Sequence, residues 1–483
     1  MKPHLAFAVA LAALCGLLQL GALPILDEES YLDIARQLGE HPLRPYDWWR
    51  PWQPWGHQKP DTAYLFAHPP GHLWWVMLTG GNRFLAAMPL AGVLGFALSW
   101  LAPKQLPTLV VALLASPVLW LALQAGLMPD LGVVAWSALA VAAWIHRRPA
   151  LAGVAFALAA SWKYPSLVLA LPLIVHALRT RRTKDLGIAA GLFLLLWGGL
   201  QALLWAQYGE PHLLHVLAHA GDIGRGPLGS RTVGVVARLG LVGPPVPGAL
   251  PGLLAGGLGF LPELDLGRGI LVACTALGGA VLLRALLALR EGALNQLMGL
   301  WLLVAAGAVV LAHNYAGGRY LLPCVVPLSV LVAGDLCRLH RAWWAVALPG
   351  ALLGPALVFA ERAHAQASFE LAQRLSDREP ARFTGEWTFR WAMQEQGWTF
   401  WSPEEYLQPG TFVAAPAHSS PGPRTLDLVL VEELDSGEAS ALRLVDLEWG
   451  VGYHAETLGP LPFAWTEGPR ERMQILQVAG ELR

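Results

Sequence analysis

Asp27 and Glu28 follow the first apolar run of the chain, and a third carboxylate, Asp130, stands in Met128-Pro129-Asp130 at the head of a later run. Two cations occupy comparable places. Lys163 lies in Ser161-Trp162-Lys163-Tyr164-Pro165, where two short apolar runs meet, and Arg319 opens Arg319-Tyr320-Leu321-Leu322-Pro323 after His313-Asn314-Tyr315-Ala316-Gly317-Gly318. Each has an ordinary explanation: a carboxylate at a helix start caps it, and Lys or Arg at a helix end snorkels to the interface. Gathered at one membrane face, two carboxylates and two cations form a constellation that can handle an anionic, phosphate-bearing substrate. A carboxylate can take a proton while the cations neutralise the phosphate. The segment after Glu28 adds Trp48, Trp49, Trp52 and Trp55, then His68-Pro69-Pro70-Gly71-His72-Leu73-Trp74-Trp75. Interfacial tryptophans anchor a segment at headgroup depth, which suits a substrate with a lipid tail. His57, His68 and His72 could be read as a metal site, but two prolines separate His68 from His72 and no clear acidic ligand accompanies them. No metal ligand is assigned, a divalent cation has no support in the residues, and no cofactor is called for.

The elements that must position these residues belong in a bilayer. Of 483 residues 55% are hydrophobic and 14% charged, with mean hydropathy +0.46, against about 25% charged in a soluble domain. Net charge is -1, without the basic excess that phosphate neutralisation by a nucleic-acid binder requires, so nucleic acid is excluded as a partner. Apolar runs lie at 5–26, 84–102, 106–124, 129–145, 149–162, 164–178, 186–207, 268–289, 296–312, 319–336 and 342–360. About eleven spans are therefore expected. The first has no small-x-small site that would mark a cleaved signal peptide, so it is read as a retained anchor. With the N-terminus inside, the inner loops receive Lys104, then Arg147 and Arg148, then Arg179, Arg181, Arg182 and Lys184, then Arg284 and Arg290, then Arg338 and Arg341. This is the positive-inside pattern, and it puts loop 27–83, segment 208–267 and the C-terminal tail on the outer face. Residues 233–262, apolar but full of Gly and Pro, are re-entrant, interfacial or an extra hairpin; a hairpin would make thirteen spans. Runs 149–162 and 164–178 are too short to span upright, and irregular backbone at their junction implies a protein-lined or wet cavity beside Lys163.

Charge divides the chain in two. Residues 1–360 hold 23 Lys+Arg and 15 Asp+Glu, while 361–483 hold 10 and 19. The second part has the charge density of a soluble, acidic domain, so residues 1–365 are read as the membrane body and 366–483 as an extracytoplasmic α/β domain. That tail should carry a helix near 386–396, with Trp387 and Trp391 four apart on one face. There they would cover the mouth of a site or pack on sugar, unless they are simply the tail's own core. Short strands such as Thr411-Phe412-Val413 and Leu428-Val429-Leu430-Val431 should follow. In the outer loop, Tyr31, Ile34, Ala35 and Leu38 fall at i, i+3, i+4 and i+7, which predicts an amphipathic helix beginning at the acidic pair. Cys15, Cys274, Cys324 and Cys337 sit in or beside apolar stretches without paired spacing, so neither a disulfide framework nor a zinc ribbon is expected.

In order along nearly the whole chain, these motifs resemble the lipid-linked-sugar glycosyltransferases of the GT-C class, in the branch of the protein O-mannosyltransferases and the aminoarabinose transferase of lipid A. The likeness rests on Asp27, Glu28, Tyr31, Ala35 and Arg36; on Pro69, Pro70, Trp74 and Trp75; on Asp130; on Lys163; and on Arg319, Tyr320 and Pro323. Gly385-Glu386-Trp387-Thr388-Phe389-Arg390-Trp391 looks like the outer domain of prokaryotic relatives, whereas Gly71-His72 departs from the Leu-aromatic pair frequent in the family. The resemblance implies a multi-pass bacterial inner-membrane enzyme of GT-C type, serving the cell envelope. It would move a sugar from a polyprenyl-phosphate donor to a hydroxyl of a protein, lipid or glycan at the outer face, with inversion. Asp27 would be the base, Lys163 and Arg319 the phosphate-facing cations, Glu28 and Asp130 orienting groups, and Tyr320 and His68 further substrate contacts. A polytopic transporter or lipid flippase is the main rival, though the two similar halves common in such proteins are not evident; an assembly protein that docks through its tail is a third reading.

Overall fold

The computed structural model describes residues 2–48, 68–219, 227–243, 266–311, 317–339, 345, 347–379, 381–401, 405–417, 427–454 and 459–480. Trp49, Trp52, Trp55, His57, residues 244–262 of the Gly/Pro-rich stretch, and His313-Asn314-Tyr315-Ala316 lie outside them. Among the described residues five helices are long and apolar enough to cross a membrane: Arg83–Leu101, Thr183–Tyr208, Gly267–Ala288, Ala293–Leu311 and Gly318–Arg338. Shorter apolar helices, Pro3–Gln19, Pro129–Ile145, Pro149–Trp162 and Tyr164–Arg179, accompany them.

The expected single run at 106–124 is instead two helices, Pro103–Leu114 and Pro117–Gln124, bent by 78°. Ser116 causes the break: its hydroxyl accepts from the Leu119 N–H at 3.3 Å, and Pro117 takes the first helical position, where a missing N–H costs nothing. The run expected at 342–360 begins as helix at Leu348 and continues unbroken to Gln373. Pro129–Ile145, apolar all round, is buried over nearly its whole length, as such a helix must be. Thr183–Tyr208 is peripheral and leaves Leu194, Leu195 and Leu196 exposed. Asp130, in the first turn of the buried helix, is therefore held from the centre of the bundle.

The region after Gln373 forms a sheet in the order β2-β1-β3-β9-β4. Its strands are β1 (Arg382–Phe383), β2 (Thr399–Phe400), β3 (Phe412–Pro416), β4 (Asp427–Asp435) and β9 (Arg472–Gly480). β1 runs parallel to both β2 and β3, with helix Trp387–Glu395 connecting β1 to β2, and β9 is antiparallel to β3 and β4, pairing Val413 with Leu476 and Ala414 with Ile475. Short pieces β5 (Ala441–Arg443), β6 (Val445–Asp446), β7 (Val451–Gly452) and β8 (Ala464–Thr466) fill the excursion between β4 and β9. That excursion reaches back onto the helical body: Gly318 N–H donates to Tyr453 O at 2.9 Å.

Candidate active site

The predicted amphipathic helix forms as Glu28–Leu38, with Tyr31, Ile34, Ala35 and Leu38 all buried. Asp27 occupies its N-cap position, but its side chain makes no cap hydrogen bond. The carboxylate instead takes Arg319 Nη1 at 3.0 Å, both side chains about one-fifth exposed. The same guanidinium donates from Nη2 to the Tyr320 hydroxyl at 2.9 Å.

Asp130 pairs with Lys163, Oδ1 to Nζ 2.8 Å, and both are buried. Lys163 sits in extended backbone where helix Pro149–Trp162 stops and a 3-10 turn, Tyr164–Leu169, begins. Pro165 favours this break, since a proline has no N–H to continue the helix by bonding back to Ser161 O. Snorkelling does not describe a lysine that is 4% exposed and ion-paired. The two ion pairs meet over one ring: Lys163 Nζ lies 4.8 Å and the Arg319 guanidinium 5.0 Å from the Tyr320 centroid, within range for cation–π attraction. Tyr31 adjoins the group. Burial, and next the charge of Asp27, holds its hydroxyl well above the usual phenol range.

Glu28 is not brought to this cluster. Fully buried, it pairs with Arg83 Nη2 at 2.8 Å and accepts from the N–H groups of Ile25 at 2.9 Å and Leu127 at 2.7 Å. Burial pushes its carboxyl above the ordinary range, and Arg83 offsets only part of that. Arg83 also donates to Ala22 O and Leu23 O at 2.6 and 2.7 Å, so the pair ties the end of the first helix, the loop helix and the 124–127 turn together. Arg83 carried a sequence signal that went unread: a cation in the first turn of an apolar helix opposes the helix dipole and needs a partner elsewhere.

His68 comes to Tyr31, rings 6.2 Å apart, and its carbonyl accepts from the Tyr46 hydroxyl at 2.8 Å. His72 is buried edge-on to Tyr31 at 4.7 Å and accepts from Trp162 Nε1 at 3.1 Å. Burial lowers its pKa to about 3, so it is neutral. Gly71 explains the unusual Gly-His pair, because a Cβ there would lie 2.5 Å from Ser161 O. Among the described residues no three His, Cys, Asp or Glu side chains gather as metal ligands.

Beside the ion pairs lies a narrow cleft, its apolar walls including Ile25, Leu26, Leu121, Met128 and Leu322. Asp130 and Arg319 line it, and so do Glu361, Tyr453 and His454, which sequence reasoning missed. Glu361 and His454 are 93 positions apart, and nothing local in either segment announces the other. The only hint was Gly317-Gly318: a Cβ on Gly317 would lie 2.1 Å from His454 O, and one on Gly318 2.4 Å from the Tyr453 ring. The two tail tryptophans have different partners: Trp391 stacks on Phe369 at 5.5 Å as part of the tail core, whereas Trp387, at φ 64, meets the ring of the cleft-lining His454 at 6.0 Å.

No family model matches the sequence, and no curated protein does. Among solved structures, the crystal structure of ArnT from Cupriavidus metallidurans in the apo state is similar along 100% of this chain and 99% of that one, at 14% identity and a TM-score of 0.44. So distant a likeness carries no inference about chemistry, which rests on the geometry of the cleft.

Proposed function

We propose that the chain is a multi-pass inner-membrane glycosyltransferase of GT-C type that moves a sugar from a polyprenyl-phosphate donor to an acceptor hydroxyl at the outer face, with inversion. The observation that carries this reading is the convergence of Asp27, Asp130, Lys163 and Arg319, from four separate parts of the chain, into two ion pairs around Tyr320 at an apolar cleft. A sugar phosphodiester supplies its own good leaving group. The protein must then neutralise the departing phosphate and take one proton from the acceptor. In the resting site each cation is held by a carboxylate. A donor phosphate that draws Arg319 away releases Asp27 from its pair, and the freed carboxylate is the base. Lys163 holds the phosphate beside it, while Asp130, Tyr320 and His68 orient the substrates. Glu28 supports this arrangement from behind through Arg83.

Transfer of radiolabelled sugar from purified polyprenyl-phosphate donors to hydroxyl acceptors tests the reading. Asp27→Asn should abolish transfer, since an amide keeps the shape but takes no proton, while Lys163→Ala and Arg319→Ala should each lose about 10²–10³ in rate. Near-normal turnover in Asp27→Asn would remove it as base. Movement of an intact lipid without sugar transfer would support a flippase instead.

A further inference from the structure

Beside Asp130 and Arg319 of the ion pairs, the cleft is lined by Tyr453 and His454 of the C-terminal region and by Glu361, which pairs with His454. His454 Nε2 lies 3.2 Å from Glu361 Oε2. A carboxylate accepts only, so Nε2 carries the hydrogen toward Glu361 and Nδ1 is the ring's remaining hydrogen-bonding atom. Among the described residues neither His454 Nδ1 nor the Tyr453 hydroxyl has a hydrogen-bond partner, though both atoms are buried. His454 is 7% and Tyr453 2% exposed. Buried polar groups ordinarily find a partner, so two left open at the wall of a cleft are placed to take one from a ligand.

Their placement is held from several sides. Gly317 and Gly318 lack the Cβ atoms that would strike His454 O and the Tyr453 ring, and Gly318 N–H donates to Tyr453 O. Arg238, fully buried in helix Leu228–Leu239, donates to the carbonyls of Gly452, Tyr453 and Gly459. Burial pushes the Tyr453 phenol far above its usual range, so it remains a hydroxyl that can both donate and accept.

We propose that the Tyr453 hydroxyl and His454 Nδ1, the latter oriented by Glu361, form a subsite that binds a neutral hydroxyl-bearing moiety of a substrate, one group donating and the other accepting. This rests on the transferase reading. The Glu361 carboxylate disfavours a phosphate directly beside His454, which leaves the sugar of the donor or the hydroxyl-bearing acceptor as occupant.

Tyr453→Phe and His454→Gln in the full chain, in detergent, test this in two arms. The donor is a radiolabelled polyprenyl-phosphate hexose or pentose; the acceptor is water in one arm, and a serine/threonine peptide or a glucosamine-based lipid in the other. Each variant should raise one KM about three- to tenfold, the worth of one neutral hydrogen bond. A raised donor KM in both arms assigns the hydroxyl to the donor's sugar; an effect confined to the acceptor arm assigns it to the acceptor. Tyr453→Phe removes an atom that has no partner among the described residues, so its Tm should be unchanged or higher. Wild-type KM values in both arms for both variants would overturn the subsite. So would lost turnover in Tyr453→Phe with unchanged KM and a lowered Tm, the mark of a structural role. A wild-type protein inactive in every arm would overturn the transferase reading itself, and the subsite with it.

Discussion

Adjacent in the chain, Asp27 and Glu28 send their carboxylates to different partners: Asp27 to Arg319 at the cleft, Glu28 to Arg83 in the interior. The acidic pair was legible in the sequence as a place for chemistry, but the division of labour within it was not, because both partners are remote in the chain. Their mutants should therefore separate. Glu28→Gln leaves Arg83 without its carboxylate in a buried setting, which typically costs about 3–5 kcal/mol; the expected outcome is a lowered Tm in detergent, with the surviving folded fraction still transferring sugar. Equal loss of specific activity in Glu28→Gln and Asp27→Asn, at unchanged Tm, would place Glu28 in the chemistry after all. His72, in helix Pro70–Leu78 outside the spans, sets a pH dependence. Its folded value is about 3 against 6.5 when unperturbed, so between these values the unfolded chain binds the extra proton. The contribution of His72 is therefore complete above about pH 6.5 and declines as pH falls toward 3. In a Tm-against-pH series, His72→Gln should lose that portion of the acid slope.

Among the elements, those read correctly are those whose signal is local. The loop helix was visible because Tyr31, Ile34, Ala35 and Leu38 repeat at helical spacing, and all four are buried. The break at Lys163 was visible because Pro165 punctuates it. The bend after Leu114 was hidden, since Ser116-Pro117 is a cap signal inside an apolar stretch long enough to be read as one span. That Trp387 meets a cleft residue while Trp391 packs in the tail core was not legible, because spacing gives no partners and takes no account of the φ of 64 at Trp387. Gly317-Gly318 gave the faintest signal of all: a glycine pair before Arg319 reads as a turn, whereas here it admits a strand end from another region of the chain. The expected outcome for Gly318→Ala follows directly. With a Cβ 2.4 Å from the Tyr453 ring, the 453–454 segment must shift, and transfer should fall while Asp27–Arg319 remains paired. Unchanged kinetics in Gly318→Ala would show that the segment can give way at no cost to the site.

For the whole molecule, loop charges and composition led to a bundle with an acidic appendage, and the structure shows that appendage seated on the end of the bundle that carries Asp27 and Arg319: Thr388 donates to Pro24 O at 2.5 Å, and Tyr453 and His454 line the shared cleft. How the appendage meets the bundle was illegible, because contacts such as Arg238 to Tyr453 join residues 215 positions apart. The positive-inside pattern predicts that it lies outside the cytoplasm, so a reporter fused after Arg483 should be active only there; cytoplasmic activity would reverse the topology. The Arg238 clasp has a consequence of a different kind. Its bonds to Gly452, Tyr453 and Gly459 are made to carbonyl oxygens, which every amino acid carries. Over evolutionary time the segment it grips can change its side chains, and with them what the cleft recognises, without losing its anchorage. A lineage could in this way exchange one substrate for another by drift at Tyr453 and His454, provided the arginine itself stays.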